Sequence, residues 1–130
     1  MKDLEKFWLI TSRYHNWKPS DIAFIDSICL LDGCVTLVTY SQIRNSSAEW
    51  PRINDDFFAS TIKCLNVNHL NINFNKGRLQ QISGFDIIDR SMDGLERINF
   101  EIIDYENDTL HFFCEEVNVI EIGILQKIVF

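Results

Sequence analysis

No stretch of the chain approaches the roughly 18 consecutive apolar residues that a membrane-crossing helix needs. The amino end, Met1-Lys2-Asp3-Leu4-Glu5-Lys6, lacks the n-region and long apolar h-region of a signal peptide. A cytoplasmic location is therefore expected. Basic residues are also in deficit: twelve Lys and Arg stand against nineteen Asp and Glu, for a net charge of −7. Binding to a phosphate backbone depends on clustered cations, so neither direct nucleic-acid binding nor docking on an anionic membrane is expected. A field of this sign would steer in a basic protein, raising the on-rate more than the affinity. Acidity also serves plain solubility.

Signatures of catalysis and metal binding are missing too. There is no G-x-S-x-G elbow, P-loop, G-x-G-x-x-G or H-E-x-x-H. His15, His69 and His111 are scattered, with no Ser or Cys beside them in a nucleophile-like setting. The four cysteines include no C-x-x-C pair. Cys29 and Cys34 flank Asp32-Gly33, and a two-residue turn there pairs Leu31 with Cys34 and Cys29 with Thr36. The two cysteines then sit diagonally on one face, a poor arrangement for a bridge, and reduced thiols are expected. No enzyme activity, cofactor, metal or small-molecule substrate is expected.

What remains is enough for one compact domain over residues 1–130. Hydrophobic residues make up 46% of the chain, with ten Phe, three Trp and three Tyr, and a chain of this size buries roughly two-thirds of its unfolded surface. Residues 2–15 show helical spacing through Leu4, Phe7, Trp8, Thr11 and Tyr14, and Pro19 guards the exit. From Ile22 the period changes. Residues 22–31 and 34–41 read as a hairpin about Asp32-Gly33. Residues 42–56 form a long loop of the kind that carries function, with Trp50 in its middle either tacking it down or offered to a partner. Residues 58–66 and 69–74 read as two short strands, or one strand bulged near Asn66-Val67-Asn68.

The second half reads as strands 79–90, 95–104 and 109–119. A turn at Asp93-Gly94 pairs Phe85 with Ile102 and Ile87 with Phe100. The opposite face carries Asp86, Arg90, Arg97, Asn99 and Glu101, so it is either wet or bound. The same register sets Arg90 against Arg97, which argues for a longer loop. In the run 109–119, apolar residues on both faces predict an interior strand. The expected architecture is α+β, an amino-terminal helix packed on one twisted, mainly antiparallel sheet of six or seven strands. Asp104-x-Glu106-x-Asp108 with Glu115 echoes a calcium loop, but Thr109 stands where the tight-turn Gly belongs, so an acidic hairpin turn is expected. Asp104 and His111 are expected opposite each other across it, as a structural pair.

The segment Gln80-Gln81-Ile82-Ser83-Gly84-Phe85-Asp86-Ile87-Ile88-Asp89, with Gly94-Leu95-Glu96, Ile103-Asp104-Tyr105-Glu106-Asn107 and Phe112-Phe113-Cys114, resembles the carboxy-terminal half of small bacterial immunity proteins. These come from polymorphic-toxin and contact-dependent growth inhibition systems. Trp17-x-Pro19-Ser20-Asp21 is similar to a tryptophan-proline opening in the same proteins. The resemblance implies a protein that binds and neutralises the carboxy-terminal domain of a cognate toxin, commonly a nuclease. In a decoy mechanism, Asp55, Asp56, Glu115 and Glu116 would occupy a cleft meant for phosphates and Trp50 would anchor the interface. An exosite mechanism fits equally well. Two other classes stay open: a small-molecule or peptide-binding β module, which requires a concave apolar cavity, and a small hydrolase built on Asp104 and His111.

Overall fold

The computed structural model describes residues 7–45, 49–74 and 79–129. After a four-residue helix, α1 (Trp8–Thr11), and a 3-10 turn (Pro19–Asp21), the regular structure of the described residues is almost entirely strand. These are β1 (Ile22–Leu31), β2 (Cys34–Ser41), β3 (Phe58–Leu65), β4 (Asn68–Ile72), β5 (Gln80–Gln81), β6 (Phe85–Asp89), β7 (Phe100–Asp104), β8 (Leu110–Cys114) and β9 (Glu116–Ile122). They form two antiparallel sheets, one of five strands ordered β5-β1-β2-β3-β9 and one of four ordered β4-β8-β7-β6. The expected α+β architecture is thus corrected: the protein is mostly β, and the described residues hold nine strands in two sheets and one four-residue helix.

The reason lies at the amino end. Of the residues expected to be helical, 2–6, including Leu4, lie outside the described residues. Among the rest only one turn of helix forms, without a side-chain cap or an acidic residue in its first turn, and so short a helix has little stability of its own. Phe7 and Ile10 reach the core, and Tyr14 stacks on Phe58 with ring centroids 3.8 Å apart. Trp8, expected in the same stripe, is 66% exposed. Among the described residues no helix is long and apolar enough to cross a membrane.

The first hairpin follows its sequence. Asp32 and Gly33 both take positive φ, 53° and 75°, which suits the right-handed strand twist. The resulting register pairs Leu31 with Cys34 and Cys29 with Thr36, and all four cysteines are free thiols. Strand β2 alternates buried and half-buried along its whole length, the pattern of a sheet with one face on a core.

Three runs each divide between the two sheets: 79–90 and 109–119, each expected as one strand, and 58–74, expected as two short strands or one bulged strand. The segment 58–74 leaves the first sheet after Leu65 and enters the second at Asn68, turning at Asn66, whose φ is 54°. The run 79–90 divides at 82–84, where Ile82 N–H bonds Ala23 O and Gly84 O accepts from Tyr105 N–H. The run 109–119, expected as one interior strand, divides at Glu115. Its first part, β8, is interior to the four-stranded sheet, and its second, β9, is an edge of the other. These crossings clamp the sheets around one core. Ile25, Leu37, Phe58, Ile62, Phe85, Ile87, Ile102, Leu110 and Phe112 all belong to it, each large apolar side chain contributing about 1.5–3 kcal/mol by burial.

The β6–β7 register also differs from the two-residue turn expected at Asp93-Gly94. Phe85 pairs with Asp104, Ile87 with Ile102 and Asp89 with Phe100. The longer loop sets Arg90 against Asn99, N–H to O at 2.6 Å, which removes the Arg90–Arg97 conflict. Because the slip is two residues, every side chain keeps its face.

Candidate functional site

The outward residues of the four-stranded sheet follow from the ladder. Across it, Asp86, Ile103, His111 and Asn71 stand in one row, and Ile88, Glu101, Phe113 and Asn68 in the next. Ile88, Ile103 and Phe113 are half-buried rather than enclosed. His111 and His69 flank the Phe113 ring at 5.2 and 6.1 Å between centroids. At the centre lies Glu101, only 8% exposed. Its Oε1 accepts from Arg90 Nε and Nη2 at 2.9 and 2.7 Å, and its Oε2 is 2.7 Å from His111 Nε2. Burial by itself would push this carboxyl up. The hydrogen bonds and charges of Arg90 and His111 outweigh it and hold Glu101 below its ordinary value. Arg90 is pushed up in turn by its bonds to Glu101.

The charge around this face is lopsided. Residues 84–108 carry eight carboxylates (Asp86, Asp89, Asp93, Glu96, Glu101, Asp104, Glu106 and Asp108) against Arg90 and Arg97, a net of −6 in a chain whose total is −7. Both arginines are engaged by carboxylates, Arg90 by Glu101 at 2.7 Å and Arg97 by Glu115 at 3.8 Å. Nearly all the excess negative charge therefore sits on one hairpin and its two turns. Exposed Met92, Leu95 and Tyr105 lie among those carboxylates.

Asp104 and His111 do not form the expected pair. His111 stands opposite Ile103 and faces outward to Glu101. Asp104 is fully buried and caps its own turn, accepting from Thr109 Oγ1 at 2.6 Å and from the Glu106 and Thr109 N–H groups. The turn runs straight into β8 at Leu110 and leaves no room for a calcium loop. Among the described residues no cluster of three or more His, Cys, Asp or Glu could hold a metal ion.

The five residues singled out from sequence fall in two places. Trp50 is half-buried: its Nε1–H donates to Gln42 O at 2.6 Å, Arg44 lies 3.6 Å above its ring, and it packs beside Ala23, Phe24 and Phe57. It tacks the loop to the fold. Asp55 pairs with Arg52 at 2.9 Å, and Asp56 lies 3.9 Å from Lys127. Glu115 accepts from Asn66 Nδ2 and lies near Arg97, with Glu116 next to it opening β9. Asp55-Asp56 precede β3, and Leu65 at its far end pairs with Glu116. At about 3.3 Å per residue, the two acidic pairs are up to roughly 30 Å apart. Only Glu115 and Glu116 border the acidic hairpin.

Sequence reasoning missed Ile88, Ile103, Phe113, His69 and the true partner of His111. A windowed charge count over 84–108 would have pointed to the place. The described concavities are open, one lined about equally by polar and apolar surface and the other mainly by polar surface. The larger, about 540 Å³, is lined by residues including Trp17, Lys18, Asp21 and Arg44. Burial raises the Asp21 carboxyl there despite N–H bonds from Lys18 and Arg44. No family model, curated protein or solved structure matches this chain.

Proposed function

We propose that this is an immunity-type protein that acts by protein–protein binding without catalysis, neutralising a cognate toxin domain of basic surface inside the cell that makes both. The observation that carries the reading is the placement of a net −6 on the hairpin 84–108, beside a solvent-reached sheet face that offers Ile88, Ile103 and Phe113. An open face that mixes apolar side chains with charged groups suits a macromolecular interface better than a small-ligand pocket. Opposite charge would steer in a cationic partner and fix its register. A nuclease, whose cleft must attract phosphates, is the partner class that the field fits best, and the resemblance of residues 80–114 points the same way. The placement favours docking through the β6–β7 hairpin over insertion of Asp55 and Asp56.

The test is co-expression with the toxin domain encoded beside the gene, followed by calorimetric titration at low and high salt. A one-to-one complex is expected, weakened about tenfold or more by Asp93→Lys with Glu96→Lys, and left within about twofold by Asp55→Lys with Asp56→Lys. The reverse ranking would move the interface to the 42–56 loop. Absence of any complex with folded protein would overturn the immunity reading.

A further inference from the structure

Two cysteines fifty residues apart in sequence meet inside the core. Cys64 ends the buried row of β3 and Cys114 is the last residue of β8; both are fully buried and belong to the same cluster. Facing sheets ordinarily stand about 10 Å apart, too far for a disulfide, whose Cα atoms need about 4.4–6.8 Å. Here the sheets converge. Glu115 N–H donates to Leu65 O at 2.9 Å, so the residues that follow each cysteine are bonded backbone to backbone. The crossing from β8 to β9 therefore draws Cys114 toward Cys64 from the opposite sheet.

We infer that Cys64 and Cys114 form a latent disulfide site that joins the two sheets at this crossing. The inference is independent of the toxin-binding reading. Contact with the Cys114 thiol, and then burial, push the Cys64 thiol well above its ordinary value, so the pair is slow to react while the fold is closed. The oxidant is a disulfide such as oxidised glutathione. One cysteine thiolate attacks it to give a mixed disulfide and releases one glutathione. The second thiolate then attacks the protein sulfur of that mixed disulfide and releases another. One S–S bond forms on the protein as one is broken in the oxidant, and two thiol protons end on the two released glutathiones.

The experiment treats the folded protein with oxidised glutathione, blocks remaining thiols in denaturant, and maps disulfides by peptide mass. A Cys64–Cys114 linked peptide is expected, forming more slowly than glutathionylation of exposed Cys29. The variant with Cys29→Ala and Cys34→Ala keeps the core thiols and is expected to form the same link, with a raised midpoint of thermal unfolding. Recovery of Cys64 and Cys114 as blocked thiols would overturn the inference, as would a link that forms only when oxidation is carried out in denaturant. Both outcomes are read on the unmutated protein, so they do not depend on how any variant folds.

Discussion

Two buried carboxylates show how environment sets the sign of a residue's contribution. Glu101 is held below its ordinary value by Arg90 and His111, whereas burial raises Asp21. For Glu101, the depressed folded value means that its contribution is present above the unfolded carboxyl value, about 4.3, and is lost as pH falls through the folded one. For Asp21 the sign reverses: the contribution is full below about 3.9 and is lost as pH rises through the raised folded value. Thermal unfolding between about pH 3 and 6 should therefore separate two variants. The advantage of the unmutated protein over Glu101→Gln should grow with pH to about 1 kcal/mol, while its advantage over Asp21→Asn should shrink. A common pH trend would refute one of the two assignments, and both trends reversed would refute both. Neither sign was legible in sequence, since Glu101 gains its partners only from the β7–β8 and β6–β7 registers.

At the scale of elements, the hairpin β1–β2 was readable because Asp32-Gly33 encodes its own turn. The second hairpin, between β6 and β7, was not, because a 3-10 turn at Ser91–Asp93 and a positive φ at Arg97 lengthen the loop without a strong local signal. The crossings were hidden for a related reason: a strand bent between two sheets keeps its β composition throughout. Gly84 marks one of them. A Cβ there would lie 2.6 Å from Glu106 Cγ and 3.0 Å from its backbone N, and the backbone contact cannot swing away. Gly84→Ala should cost about 1–3 kcal/mol, read as a lower urea midpoint at unchanged slope. Adding Glu106→Ala should restore only part of it, because the backbone contact stays.

At the scale of the molecule, a core shared by both sheets predicts that they unfold together. Ile62 in the five-stranded sheet and Phe112 in the four-stranded sheet lie in the same buried cluster. Ile62→Ala and Phe112→Ala should each destabilise by about 2–5 kcal/mol. Each should shift one transition that coincides by far-ultraviolet circular dichroism and by tryptophan fluorescence. Separate transitions would show that the sheets are independent units. The acidic hairpin belongs to this scale as well, since its field combines residues from both ends of β6 and β7.

The sequence alone determined the local and summed properties: the Asp32-Gly33 turn, the alternating strands, the inward set Phe85, Ile87, Phe100 and Ile102, and the acidic balance. These depend on neighbouring residues or on simple counts. Among the described residues it also suggested more helix than the one turn at Trp8–Thr11, because apolar spacing cannot reveal that the core is already closed by two sheets. Tertiary structure alone decided which strands change sheet, that His111 meets Glu101 instead of Asp104, that Trp50 anchors its loop, and that Cys64 and Cys114 converge. Each of these is a long-range pairing, set by how the chain crosses between sheets, and periodicity along a single strand carries no record of it.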